Sequence, residues 1–240
     1  MFSASRIILA LFFITLSGTS ALVWAETPLM NHIQQAEKSI VGVHTELTRT
    51  MHLAPQQKAT FERTAAGIVI DSSGIIVTNT HTIIHAPFIF VILRDGTKLR
   101  AHVVFSSKRY DLSFLKVHSP HPLQRIQWAN PRLIKAGKPV IAIRTSEHND
   151  LSIISGHIRN ILHEKGTAPL SFRGLSPSDG EFLELDLDLH HGDSGGAILD
   201  EQGRLLGMIM AKQESQPNSS IAIPSNKIHA QYLQYKKSVP

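Results

Sequence analysis

The chain has 240 residues, 42% of them apolar and 18% charged, with a formal net charge of +5 and no cysteine. That length and balance suit a soluble globular protein with a full core and one or two compact domains. The missing cysteine excludes thiol catalysis, cysteine-ligated metals and disulfide staples, and the modest, evenly spread basicity is not the footprint of a nucleic-acid binder.

Residues 1–25 stand apart. Arg6 precedes an apolar run from Ile7 to Leu16, then come small and polar residues, then Val23-Trp24-Ala25 before Glu26. This is the pattern of a secretory signal peptide cut near Ala25, and it sends the chain to the periplasm or outside the cell. The alternative is an uncleaved anchor, since 7–25 is nearly long enough to span a bilayer. Ser17, Gly18, Thr19 and Ser20 interrupt the run and favour cleavage. No other segment approaches a span, so the mature chain is not expected to insert stably in a membrane.

Thr27 to Lys38 holds helix-forming residues with Pro28 near the start. Ser39 to Leu47 alternates as a strand does. Thr48 to Arg63 is polar, carries Pro55 and has no period, and is expected to be a long loop. Ala65–Asp71 and Ile75–Asn79 flank Ser72-Ser73-Gly74 as a hairpin. His81 to His85 suits one helical turn, stopped by Pro87. Phe88–Leu93 and Lys98–Phe105 flank Arg94-Asp95-Gly96 as a second hairpin, and Asp111–Val117 is a further strand. A Pro-punctuated segment comes next, with Pro120, Pro122 and Pro131, the natural place for a linker over 119–133. Strands are then expected at Pro139–Ile143, Leu151–Leu162, Glu181–Leu187, Gly196–Leu199, Arg204–Ala211 and Ser220–Ile223. Ser225 to Lys237 closes the chain as a helix with Ser225 as its N-cap. Two batches of short, closely spaced strands predict an all-β protein of two antiparallel barrels or sandwiches, over 26–118 and 134–240.

Chemistry concentrates in Leu185–Leu199. An alternating run enters Gly192-Asp193-Ser194-Gly195-Gly196, and an apolar run leaves it. A serine at such a turn tip presents its hydroxyl outward, and the amides of Gly192 and Ser194 can point into one space and hold a developing oxyanion. Serine is a weak nucleophile and needs an oriented base. Among 14 histidines, His81 stands out, at a strand end and the start of a helical turn. Asp111, at the head of an apolar strand, is the carboxylate to orient it. His81 and His85 are spaced for a zinc site, but no glutamate follows His81 as a zincin requires, so neither metal nor cofactor is expected. His190 and His191 read as turn residues, with His191 placed to touch substrate. Asp186 and Asp188 share one face of their strand.

The order His, Asp, Ser and the runs around them resemble a chymotrypsin-type serine protease of the bacterial HtrA/Deg branch. The runs are Gly67–Asp71, Gly74–Ile83, Leu93–Thr97, Asp111–Lys116, Gly192–Ile198 and Ala222–Ser225. The resemblance implies two six-stranded antiparallel barrels with short N- and C-terminal helices and the active site between the barrels. It implies His81 and Asp111 from the first barrel, and Ser194 with the oxyanion turn Gly192, Asp193 and Ser194 from the second. It also implies that oligomers are in the family's range. The chain departs from the pattern in three places. The residues after Ser194 are used by the last strands and helix, so no PDZ domain is expected. The family often carries Gly-Asn-Pro after the strand equivalent to Val140–Ile143, and here Arg144-Thr-Ser-Glu-His148 stands there. The family commonly has Asn before its serine, and here it is Asp193. In digestive relatives that aspartate pairs with an N-terminus freed by cleavage. Ser39-Ile-Val-Gly42 is similar to such an N-terminus, but reads better as a first strand.

In the trypsin-like branch the residue six before the serine lines the primary specificity pocket, and an aspartate there selects Lys or Arg. Asp188 holds that place, beside Leu189. If a protein donor satisfies Asp188, the pocket takes Val, Ala or Leu instead. Two functions fit these residues: an exported serine endopeptidase acting on polypeptides through an acyl-enzyme, or a non-catalytic chaperone or adaptor that binds peptide in the same cleft.

Overall fold

Strands that are apolar on both faces lie between two separate cores. The protein, seen as a computed structural model, is described over residues 28–51, 54–145, 150–163, 181–190, 192–212 and 218–239, with backbone alone for 47–61. These residues form two closed antiparallel barrels of six strands each. The first holds β1 (Ile40–Met51), β2 (Ala54–Asp71), β3 (Ile75–Asn79), β4 (Phe88–Ile92), β5 (Lys98–Ser107) and β6 (Leu112–Val117), in the order β1-β2-β3-β6-β5-β4. The second holds β7 (Pro139–Thr145), β8 (Leu151–His163), β9 (Glu181–Leu185), β10 (Ala197–Leu199), β11 (Leu205–Lys212) and β12 (Ser220–Pro224), in the order β10-β11-β12-β9-β8-β7. Helix α1 (Pro28–Glu37) precedes the first barrel, α2 (Thr80–Ile83) follows β3, and α3 (Ser225–Ser238) follows β12.

Side chains alternate between the two faces of a strand. Val69 and Ile76 point into the first barrel with Val43, Val91 and Leu115. Their neighbours Ile68, Ile70, Ile75 and Val77 join Ile143, Met208 and Ile223 of the second barrel and Ile33 of α1 in a shared core. The second barrel has its own interior of Val140, Ala142, Ile158, Leu183, Ile198 and Leu206. A fully buried aliphatic side chain contributes about 1.5–3 kcal/mol, so the shared core holds the barrels as one body. The segment after β6 bonds to each barrel in turn. Leu123 N–H donates to Ser72 O at 3.0 Å and Ile126 N–H to Val69 O at 2.8 Å. Then Leu205 N–H donates to Gln127 O at 2.7 Å and Ala129 N–H to Leu205 O at 3.1 Å.

Three expectations are corrected. The loop expected over Thr48–Arg63 is mostly strand, with Thr48 opposite Thr60 and Thr50 opposite Lys58. Beyond Glu46, β1 pairs with β2 alone, and the ladder rests on backbone hydrogen bonds that carry no sequence period. The alternating run to Leu189 is strand only to Leu185. The Asp186 N–H donates to His157 O, and its carboxylate accepts from His157 N–H, which holds the segment without a continuing ladder. In α3 the N-cap is Pro224, in extended conformation, and Ser225 is the first helical residue, buried.

Candidate active site

Asp111 leads into β6 from a short 3₁₀ turn at Lys108–Tyr110, in left-handed conformation with φ of 50°. Aspartate tolerates that region better than most residues. The pairing of β3 with β6 sets Asn79 opposite Leu112, which brings the start of α2 against Asp111. Thr80 N–H and the Asn79 side-chain amide donate to the Asp111 carbonyl at 3.1 and 3.2 Å. The His81 N–H donates to Asp111 Oδ1 at 2.9 Å, and His81 Nδ1 lies 2.5 Å from Oδ2. Both residues are under 5% exposed, so water does not compete for these bonds. An ionised carboxylate only accepts, so in the neutral imidazole Nδ1 carries the proton and Nε2 the lone pair. Nε2 faces Ser194 Oγ at 3.2 Å.

Ser194 reaches that point because its turn is tied to the first barrel. Ala66 N–H of β2 donates to Ser194 O at 2.8 Å, and the Thr78 hydroxyl of β3 donates to Ala66 O at 2.8 Å. Gly195 has φ of +84°, and a Cβ there would lie 1.9 Å from Ala66 O. Only glycine accepts both that conformation and that approach. Gly195 N–H donates to Ile209 O and Gly196 N–H to Asp193 O, each at 3.0 Å, which closes the turn. The Ser194 hydroxyl also lies 3.2 Å from Met210 O on β11.

Asp193 serves this turn through its side chain. Its N–H donates to His190 O at 3.2 Å, and its carboxylate accepts from His190 N–H and Arg144 Nη1, both at 2.6 Å. Gly192, with φ of +102°, and Ser194 supply the remaining amides of the turn. Asp188 faces solvent, its side chain 52% exposed, and accepts from Lys212 Nζ at 2.7 Å. That bond, first among the causes, holds its carboxyl below the usual carboxylate range. Leu189 is packed in the second barrel's interior. His190 is exposed, and His191 lies outside the described residues, as do residues 1–25 with the expected signal. His81, Asp111 and Ser194 are thus brought together. Ala66 and the Met210 carbonyl act through backbone atoms, which leave no mark in sequence. Arg144 does leave one, as a charged residue at a strand end where the resembled pattern often has a glycine-containing run. Among the described residues, no group of three or more His, Asp or Glu side chains is placed to hold a metal ion, and no helix is long and apolar enough to cross a membrane.

The trypsin-like peptidase domain family matches residues 65–208. The serine endoprotease DegS of Salmonella typhimurium is 30% identical over 186 residues, covering 76% of this chain and 49% of that protein. The periplasmic serine endoprotease DegP of the same species is 29% identical over 177 residues, covering 72% of this chain and 35% of that protein. The chain therefore spans half or less of the length of these relatives. The solved HtrA-type protease AlgW, with a decapeptide, superposes with a TM-score of 0.72 over 88% of this chain and 68% of that one, at 22% identity, and so supports the fold. The His81 turn, the Asp111 cap and the Gly192–Gly196 turn stand on barrels of the matching architecture, and the chain belongs to the trypsin-like peptidase domain family, on its HtrA/Deg branch.

Proposed function

We propose that this protein is an exported serine endopeptidase of the periplasm that cleaves polypeptides in quality control or processing. The observation that carries the reading is the hydrogen-bonded chain from buried Asp111 through His81 to Ser194. Ser194 Oγ attacks the scissile carbonyl while its proton passes to His81 Nε2, and Asp111 stabilises the imidazolium that forms. The amides of Gly192 and Ser194 receive the oxyanion. Collapse of the tetrahedral intermediate transfers the proton to the leaving amine and leaves an acyl-Ser194, which water hydrolyses with His81 as base again. The apolar run of residues 7–16, the short side chains of Val23 and Ala25, and the periplasmic relatives support export.

A serine-directed fluorophosphonate and a denatured protein substrate test this. Wild type should take the label and release fragments. Ser194→Ala should do neither while unfolding at the same temperature, because only a hydroxyl is removed. If Ser194→Ala digests the substrate at the wild-type rate, the assignment fails. If wild type neither labels nor cleaves but binds the denatured chain, the peptide-binding adaptor takes its place.

A further inference from the structure

Two of the positions at which this chain departs from the HtrA/Deg pattern touch each other. Antiparallel pairing sets Ala197 of β10 opposite Ile143 of β7, so residue 144 comes level with Gly196 at the foot of the nucleophile turn. From there Arg144 Nη1 donates to Asp193 Oδ2 at 2.6 Å and Nε donates to Ser152 Oγ on β8 at 3.3 Å. Asp193 is 6% exposed and lies between the two residues whose amides face the oxyanion in the proposed mechanism. We infer that Arg144 is the positioning residue of the oxyanion turn: its guanidinium, acting through Asp193, fixes the peptide planes of Gly192 and Ser194.

The inference rests on the protease reading, and its physics is that of a buried charge. An ionised carboxylate taken out of water must be met by a counter-charge and hydrogen bonds. Arg144 and the His190 N–H meet it on one oxygen. Without the guanidinium the carboxylate is drawn toward water, and the residue before it is the positive-φ Gly192, where even a Cβ would meet nothing closer than 3.9 Å and which swivels with little steric resistance. Oxyanion donors lose most of their value when displaced from the developing charge. An arginine suits the place, because its rigid fork serves Asp193 and Ser152 together. A competing acid, Asp188, is occupied by Lys212 at 2.7 Å, and a neighbouring base, His190, meets Asp193 through its backbone N–H. The counter-charge is therefore built into β7, and none is needed from a freed N-terminus. Ser39-Ile40, the residues similar to such a terminus, are continuous with α1, Ser39 N–H donating to Ala36 O at 2.9 Å, and Ile40 pairs with Ile68.

The test is a double-mutant cycle on the full chain: wild type, Arg144→Gln, Asp193→Asn and the double variant, measured for kcat and KM on one peptide substrate and for near-UV circular dichroism. Arg144→Gln should lower kcat about 100-fold with KM changed less than about 3-fold, the pattern of a lost transition-state interaction. In the Asp193→Asn background the same substitution should cost less than about 3-fold, because no buried charge is stranded. Wild-type kcat in Arg144→Gln, or an equal loss in both backgrounds, overturns the inference. If Arg144→Gln alone is unfolded, the comparison of Asp193→Asn with the double variant decides: similar kcat supports the inference, and a further loss overturns it. A wild type that shows no hydrolysis and no fluorophosphonate labelling overturns the protease reading and this inference with it. An active, labelled wild type with an uncoupled cycle overturns only the role of Arg144.

Discussion

Ser194, the nucleophile of the proposed reaction, is held by backbone atoms of the other barrel. Ser194 O accepts from Ala66 N–H, and the residue after it must pass Ala66 O so closely that a single methyl would collide at 1.9 Å. Gly195→Ala therefore combines a left-handed conformation with a clash against main chain, which cannot yield as a side-chain tip can. A strained non-glycine residue costs about 1–3 kcal/mol before any clash is counted. The expected outcome is a loss of at least that much from urea unfolding. Hydrolysis should fall more steeply still, because relief of the clash moves Ser194 away from His81 Nε2. A variant with wild-type stability and turnover would show that the turn does not need this contact.

Between elements, the end of β11 and the segment after β9 are joined at the surface by Lys212 and Asp188. An ion pair this exposed is weak and screened. Its consequence is for specificity, since Asp188 already has its donor and stands in solvent rather than in an apolar pocket awaiting a basic substrate. On a peptide set differing only at the residue before the cut, Arg and Lys should be cleaved no faster than Val or Ala, and Asp188→Ala should leave that order and the melting temperature unchanged. A basic preference that disappears in Asp188→Ala would instead make Asp188 a substrate reader. The same neighbourhood shows what sequence carries and what it does not. The hairpin of β2 and β3 and the places of His81, Asp111 and Ser194 were legible because apolar runs, turn glycines and reactive side chains mark them. The outer part of the β1–β2 hairpin was not, since its ladder rests on backbone hydrogen bonds, which carry no sequence period. Asp193 and Arg144 were each visible as departures, but their contact depends on the register of β7 with β10, which no local pattern encodes. Nor did the alternation at Leu185–Leu189 separate a paired strand from a segment held by Asp186 and His157.

Across the whole molecule, α3 packs against β11 and β12 of the second barrel and reaches the first with its aromatic side chains. Tyr232 meets Phe114 edge-on at 5.9 Å, Tyr235 packs against Phe105 and Phe114, and Trp128 of the connecting segment lies tilted against His229 at 4.9 Å. The Tyr232 hydroxyl donates to Asp71, at the end of β2. Burial raises the Asp71 carboxyl, but the bonds from Tyr232 and the Ser73 amide outweigh it and hold the group down to about 2, against an ordinary value of 3.8. Burial first, then the bond to Asp71, pushes the Tyr232 phenol above its ordinary range. A carboxyl depressed on folding adds stability that is complete above its ordinary value and is lost as pH falls through about 2. A phenol raised on folding adds stability that is complete below its ordinary value, near 10, and fades as pH rises through the raised one. Tyr232→Phe removes the donor and keeps the ring. A hydrogen bond to an ionised partner contributes about 1.5–3 kcal/mol, and partial solvent screening of Asp71 brings the expected loss to the low end of that range. In urea unfolding the gap between wild type and Tyr232→Phe should be constant from about pH 5 to pH 8 and should close toward about pH 2, because the stabilisation it measures is titrated away there. A gap that is absent at neutral pH, or that persists undiminished in acid, would mean that the aromatic packing of α3, and not this bond, fastens the second barrel's helix to the first.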